Sequence, residues 1–277
     1  MTTPPSLDRA DDVVTLSLGA ASQRFRWVPP GTFTMGELKP RRRTSYDQTG
    51  HVVTLTAGCW LGEAPVTRRF WAAVTDGAPD VAEPDHPVTQ VSWDDCDAFL
   101  ARLNALVPGL AAEFPLEAWW ERACRAGTDG ETWVGRASLT ALDPFAWCVE
   151  NNDRVVHPVA TKAPNPWGFY DLLGNVWEWC ADWYRAYPAG PVTDPTGPGV
   201  GGSRVARGGM YLNAASKLSA PRRVAFEPNY RDVAVGFRLA HPAGEGVWDA
   251  PAVAPRAATP PVKAKARAKR TAAGGGG

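Results

Sequence analysis

From Trp133 onward the chain holds no helical or alternating hydrophobic period for long, yet it remains full of aromatic residues. The stretch NPWGFYDLLGNVWEWCADWY (165–184) sets the pattern: Trp, Phe and Tyr recur every few residues, divided by Asn, Asp, Pro and Gly. That spacing leaves no room for a long helix and predicts tight turns and short strands held together by buried tryptophan. Thirteen Trp beside 27 Gly and 26 Pro extend the point to the whole chain. They indicate a loop-rich domain pinned by aromatic packing and not a helical bundle.

The first half carries the regular elements. Val13–Val28 contains VVTLSL and FRWV around a small-residue turn, which predicts a hairpin. Three helices follow. In PVTRRFWAAVTDG, Thr67 is the cap, Phe70, Trp71 and Val74 fall at helical spacing, and Gly77 lies past the end. In VSWDDCDAFLARLNALVPG, Ser92 and Asp95 form a capping box, and Cys96, Phe99, Leu100, Leu103 and Leu106 make one apolar stripe stopped by Pro108-Gly109. PLEAWWERACRAG runs from Pro115 to a stop at Gly127. The triplet Arg41, Arg42 and Arg43 reads as a solvated loop.

Composition bounds the rest. Basic and acidic residues number 29 each, so the electrostatic case for nucleic-acid or membrane partners falls away. Residues 1–12 read as a disordered lead, 13–240 as one domain, and 241–277 as a disordered Pro/Ala/Lys-rich tail, with His241 at its start. No apolar run has the length of a membrane span, and MTTPPSLDRADD lacks the basic and apolar regions of a signal peptide. Five scattered cysteines (Cys59, Cys96, Cys124, Cys148, Cys180) therefore point to reduced, buried thiols and a cytoplasmic protein.

Seven ordered stretches carry a resemblance: VPPGTFTMG, PVTRRFW, HPVTQVSWDDCDAFLARL, EAWWERACRAGT, NPWGFYDLLGNVWEWCADWY, RVARGG and VGFRLA. Together, from about residue 25 to 240, they resemble the formylglycine-generating enzyme, or sulfatase-modifying factor, family. The resemblance implies an α+β, irregular, loop-rich fold of the C-type-lectin-like kind. It also implies a structural calcium ion held by the side chains of Asp171 and Glu178 and the carbonyls of Gly174 and Val176, a donor set of hard oxygens. The residues alone offer another reading, in which Asp171 caps a turn and Glu178 pairs with an arginine. Arg207 and Arg238, set among small and apolar residues, read as loop braces.

The related enzymes oxidise a substrate cysteine with oxygen and Cu(I) held by two thiolates, in a Gly-Gly-Ser-aromatic-x-Cys-x4-Cys motif. Here Gly208, Gly209 and Tyr211 match, but Met210 stands for the serine, Asn213 for the first cysteine and Leu218 for the second. An amide and an isobutyl group do not bind Cu(I), so no copper is expected. The four histidines (His51, His86, His157, His241) show no HxxxH or HxE spacing.

The frame around residues 210–234 is kept while the residues between depart from the family pattern. That is how a re-purposed binding face would look, and it resembles the variable proteins of diversity-generating retroelements. The expectation is a pseudoenzyme that recognises a protein or peptide ligand through Tyr211, Asn213, Lys217, Arg222 and Tyr230. The competing readings are an oxygen- and metal-dependent oxidoreductase of the formylglycine-generating enzyme or nonheme iron kind with a relocated metal site, and an accessory protein that docks through its basic tail.

Overall fold

The computed structural model describes residues 6–10, 13–37, 48–75, 77 and 81–242. The Arg41–Arg43 triplet, the rest of the N-terminal lead and the tail from residue 243 on lie outside the described residues.

Among the described residues, three sheets and four α-helices make up the fold. The first sheet is antiparallel throughout, in the order β1 (Ser6–Ala10), β2 (Val13–Leu18), β3 (Ala21–Val28), β6 (Cys59–Gly62), β12 (Ala240–Pro242). The predicted hairpin is β2–β3, turned at Gly19 with φ +61°. Its neighbours correct both domain boundaries. Residues 6–10, read as lead, pair with β2 from Ser6↔Ser17 to Ala10↔Val13. His241, read as the start of a tail, is fully buried opposite Trp60. Residues from the two ends of the domain thus lie in one sheet.

The second sheet runs β10 (Arg223–Phe226), β9 (Arg204–Arg207), β7 (Trp177–Trp183), β11 (Val235–Phe237), with β11 parallel to β7. The third is β4 (Gly31–Met35), β5 (His51–Leu55), β8 (Val192–Thr193).

All three predicted helices form. In α1 (Arg68–Thr75) the Thr67 hydroxyl accepts the Phe70 N–H at 3.2 Å. In α2 (Trp93–Leu106) both halves of the Ser92–Asp95 box are made, satisfying two otherwise orphaned N–H groups. Helix α3 (Glu117–Arg125) ends in a left-handed Ala126 followed by Gly127 at φ +83°. A single turn, α4 (Leu139–Leu142), was not predicted; Ser138 caps it.

Strand β7 separates two hydrophobic cores. Side chains alternate across a strand, so Trp177 and Trp179 enter the core built by α1 and α2, whereas Cys180 enters the core of α3. Trp60, Trp120 and Trp179 are fully buried. Each removes about 200 Å² from water, on the order of 5 kcal/mol before ordering entropy is subtracted. This is how a chain with so few long elements stays compact.

Candidate functional site

Strand β9 delivers the chain to Gly208 and Gly209, whose φ angles of +97° and +82° only glycine adopts without strain. At Gly209 a Cβ would lie 2.5 Å from Leu218 Cδ2 and 3.1 Å from Asn213 Oδ1. The two positions that stand for the thiol pair therefore converge on one glycine. Asn213 closes the turn: its N–H donates to the Met210 carbonyl at 2.8 Å, and its Oδ1 accepts the Met210 N–H at 3.1 Å. Leu218 follows a 3₁₀ turn (Ala215–Lys217) and is fully buried. Met210 packs against the other core, away from Leu218.

The same turn corrects one expected contact. Tyr211 is folded inward, 7% exposed, with its N–H donating to the Asn175 carbonyl and its own carbonyl accepting Asn152 Nδ2. It supports the loop and presents no face to a ligand. Asn213 is half-buried and committed to its turn.

The remaining expected contacts are joined. Lys217 is exposed and its carbonyl accepts Arg222 Nη1 at 3.2 Å. The Arg222 guanidinium lies 5.5 Å from the centre of the Trp177 ring. Phe226 meets Trp177 edge-on and stacks on Tyr230 at 4.6 Å. Tyr230 and Val233 are exposed, at 38% and 50%. The result is one surface with cationic and aromatic parts, the composition enriched at recognition hot spots. Trp177 and Phe226 were not among the contacts expected from sequence; Trp177 is buried in the α1–α2 core and Phe226 half-buried, so they back the exposed residues.

Two buried ionic clusters hold this face in place. Helix α3 aligns Glu117, Glu121 and Arg125 at four-residue spacing. Glu121 pairs with Arg125 and, more closely, with Arg207, and its Oε1 accepts the Gly36 N–H at 2.8 Å. Burial pushes the Glu121 carboxyl upward, but Arg125 and Arg207 outweigh it and the net shift is down. Glu117 binds Arg223 at 2.7 and 2.8 Å. Arg207 also donates to the Arg222 carbonyl at 2.9 Å, tying the network directly to the exposed face.

The second cluster lies where the calcium ion was expected. Asp171, Gly174 and Asn175 take φ of +54°, +79° and +57°, so the backbone here is tightly turned. Both Glu178 oxygens, however, are engaged: Oε1 by Arg238 Nη2 at 2.6 Å, Oε2 by Arg238 Nε at 2.5 Å and by Trp120 Nε1 at 2.7 Å. A calcium ion on Glu178 would have to sit beside that guanidinium or displace it. The Glu178 carboxylate as arranged does not fit the ion, and Glu178 acts as the partner of an arginine brace. Asp171 ties its loop to the segment eleven residues earlier, accepting the Ala160 N–H at 2.7 Å, and burial pushes its carboxyl up to about 6.

All five cysteines are free and buried. Burial pushes the Cys59, Cys96, Cys124 and Cys180 thiols upward, and Cys148 to about 11. Among the described residues no three His, Cys, Asp or Glu side chains are grouped to hold a metal, and no helix is long and apolar enough to cross a membrane.

Comparison with known proteins places these features. The family described as the sulfatase-modifying factor enzyme 1-like domain matches residues 19–243. The formylglycine-generating enzyme of Thermomonospora curvata is 32% identical over 246 residues, 79% of this chain and 73% of that one. The enzyme of Streptomyces coelicolor is 36% identical over 195 residues, 64% of this chain and 60% of that one, so the chain spans well under the full length of that relative. Among solved structures, Treponema denticola variable protein 1 superposes with a TM-score of 0.73 at 26% identity, covering 84% of this chain and 99% of that one. The mixed, loop-rich fold is the C-type-lectin-like arrangement expected from the motifs.

Proposed function

Because the chain belongs to the sulfatase-modifying factor, or formylglycine-generating enzyme, family, we propose that it keeps the family frame to recognise a protein or peptide and does not oxidise thiols. One observation carries this reading: the side chains that converge on Gly209 are Asn213 and Leu218. Cu(I) is held by soft, deprotonated sulfur. An amide oxygen already accepting a backbone N–H and a fully buried isobutyl group supply none.

The contact face on this reading is Lys217, Arg222, Phe226, Tyr230 and Val233, carried by the 3₁₀ turn, β10 and the loops on either side of it, and braced from below by Arg207. A rigid frame under an altered face is also what a variable protein of a diversity-generating retroelement needs, and the likeness to a T. denticola variable protein supports that finer reading. The free, buried cysteines suit a cytoplasmic setting.

Panning a random peptide-display library on the purified protein tests the recognition role. Selected peptides should lose at least tenfold in affinity for a Lys217→Ala/Tyr230→Ala variant and none for a Leu106→Ala control, another exposed apolar position. Peptides that bind the double variant as well as wild type would remove this face from the account.

A further inference from the structure

A cavity of about 600 Å³ opens beside the C-terminal part of β7, under the loop formed by residues 185–198. It is separate from the recognition face. Successive residues of β10 point to opposite sides; Arg223 lines this cavity, whereas Val224 and Phe226 pack against the α1–α2 core.

The charges in its lining are unevenly matched. Glu117 is bound by Arg223 and by the Tyr187 hydroxyl at 3.0 Å. Asp194 is held by the Thr56 N–H and hydroxyl at 2.8 and 2.6 Å. Asp182 is different. It is 5% exposed, accepts the Glu117 N–H at 2.7 Å, and among the described residues has no cationic nitrogen within 4 Å of it. Gly197, at φ +70°, stands over it; a Cβ there would lie 3.1 Å from Asp182 Cβ and 3.2 Å from its Oδ1, so the missing side chain leaves that much room beside the oxygen. The lining is mixed: Met35, Val192, Pro195 and Pro198 supply apolar wall, and His51, Arg185 and Arg223 line the cavity as well.

A buried carboxylate without a cation is costly, and a ligand bringing one would relieve the cost. The apolar walls suit a short methylene stem, as the stems of lysine and arginine pack along apolar surface while their heads seek a charge. We propose that this cavity binds a single alkylammonium or alkylguanidinium group, with Asp182 as the carboxylate that pairs with it and the apolar walls as the sleeve for its stem. Burial, helped by the neighbouring Glu117 charge and opposed by the Glu117 N–H and by Arg223, pushes the Asp182 carboxyl up to about 7. The group could come from a free amine or from a basic side chain of another polypeptide; the chemistry is shared.

Titration of the full chain at pH 8 by calorimetry or NMR tests the assignment, with butylamine, the tripeptide acetyl-Gly-Lys-Gly-amide, butanol and butyrate as probes. Butylamine and the tripeptide should bind saturably, and butanol and butyrate should not. The tighter of the two amines identifies the source. Asp182→Asn keeps an acceptor for the Glu117 N–H and should weaken amine binding at least tenfold. Ala186→Trp, at an exposed position in the lining, should block the cavity with Asp182 left intact. Amine binding unchanged by both substitutions, or butanol binding as well as butylamine, would overturn the proposal.

Discussion

Arg238 grips Glu178 with two arms of its guanidinium, Nε to Oε2 at 2.5 Å and Nη2 to Oε1 at 2.6 Å, and both side chains are fully buried. The remaining arm of Arg238 donates to the Gly62 carbonyl at 2.8 Å, and Nη2 also reaches the Tyr170 carbonyl at 3.0 Å. One side chain therefore ties together the first sheet, the calcium-like loop and β7.

Arg238→Met removes that tie and leaves Glu178 buried and unpaired. The expected loss is about 3–5 kcal/mol, a fall in Tm on the order of 10 °C for a domain of this size. Adding Glu178→Gln should recover part of it, because the stranded charge is gone. Thermal melts of the single and double variants check both statements.

The same pair bears on calcium. With Glu178 committed to Arg238, wild-type protein should melt at the same temperature in millimolar calcium and in excess EDTA. A reproducible rise in Tm on adding calcium would show that the loop reorganises around the ion.

Asp182 sets a pH dependence. Its folded-state carboxyl is raised to about 7 by burial and by Glu117, above the unfolded value near 3.8. Below pH 4 both states are protonated and the group costs nothing. As pH rises from 4 to 7 the unfolded state releases its proton first, so stability falls. Asp95 behaves oppositely: its Arg231 partner lowers it to about 2, so its contribution is lost only as pH drops through the range from 4 to 2. The Tm of Asp182→Asn relative to wild type should therefore climb between pH 5 and pH 8. A flat difference across that interval contradicts the assignment.

Tyr211 and Tyr230 separate support from contact. Tyr211→Ala, at a buried position, should cost about 3 kcal/mol. Lys217→Ala/Tyr230→Ala touches exposed side chains and should shift stability by under about 1 kcal/mol. Denaturant titrations distinguish the two.

Much of this was legible in the sequence because the signals are local. The Ser92–Asp95 box and the apolar stripe of α2 from Cys96 to Leu103 each span a few residues and formed as read; Leu106, placed in the same stripe, is exposed instead, because it lies in the last turn beyond the packed face. What escaped depends on distant partners. Glu117, Glu121 and Arg125 look like a solvated helix face until Arg207, 86 residues beyond Glu121, is brought beneath them. Tyr211 looks like a loop aromatic until two positive-φ glycines turn it inward. Ser6–Ala10 and His241 lack a pattern of their own; they are strand residues because β2 and β6 supply the register. At the recognition face, Lys217, Arg222 and Tyr230 were named, but the rings of Trp177 and Phe226 that join Arg222 to Tyr230 were hidden by long-range pairing.

The most direct measurement is Cu(I) binding, by competition with a chromogenic chelator, for wild type and for Asn213→Cys/Leu218→Cys, together with aldehyde formation from a cysteinyl peptide in air. The account predicts no stoichiometric Cu(I) and no aldehyde for wild type, with Cu(I) binding gained when two thiols are restored beside Gly209. Wild-type protein that binds one Cu(I) and turns the peptide over would contradict it.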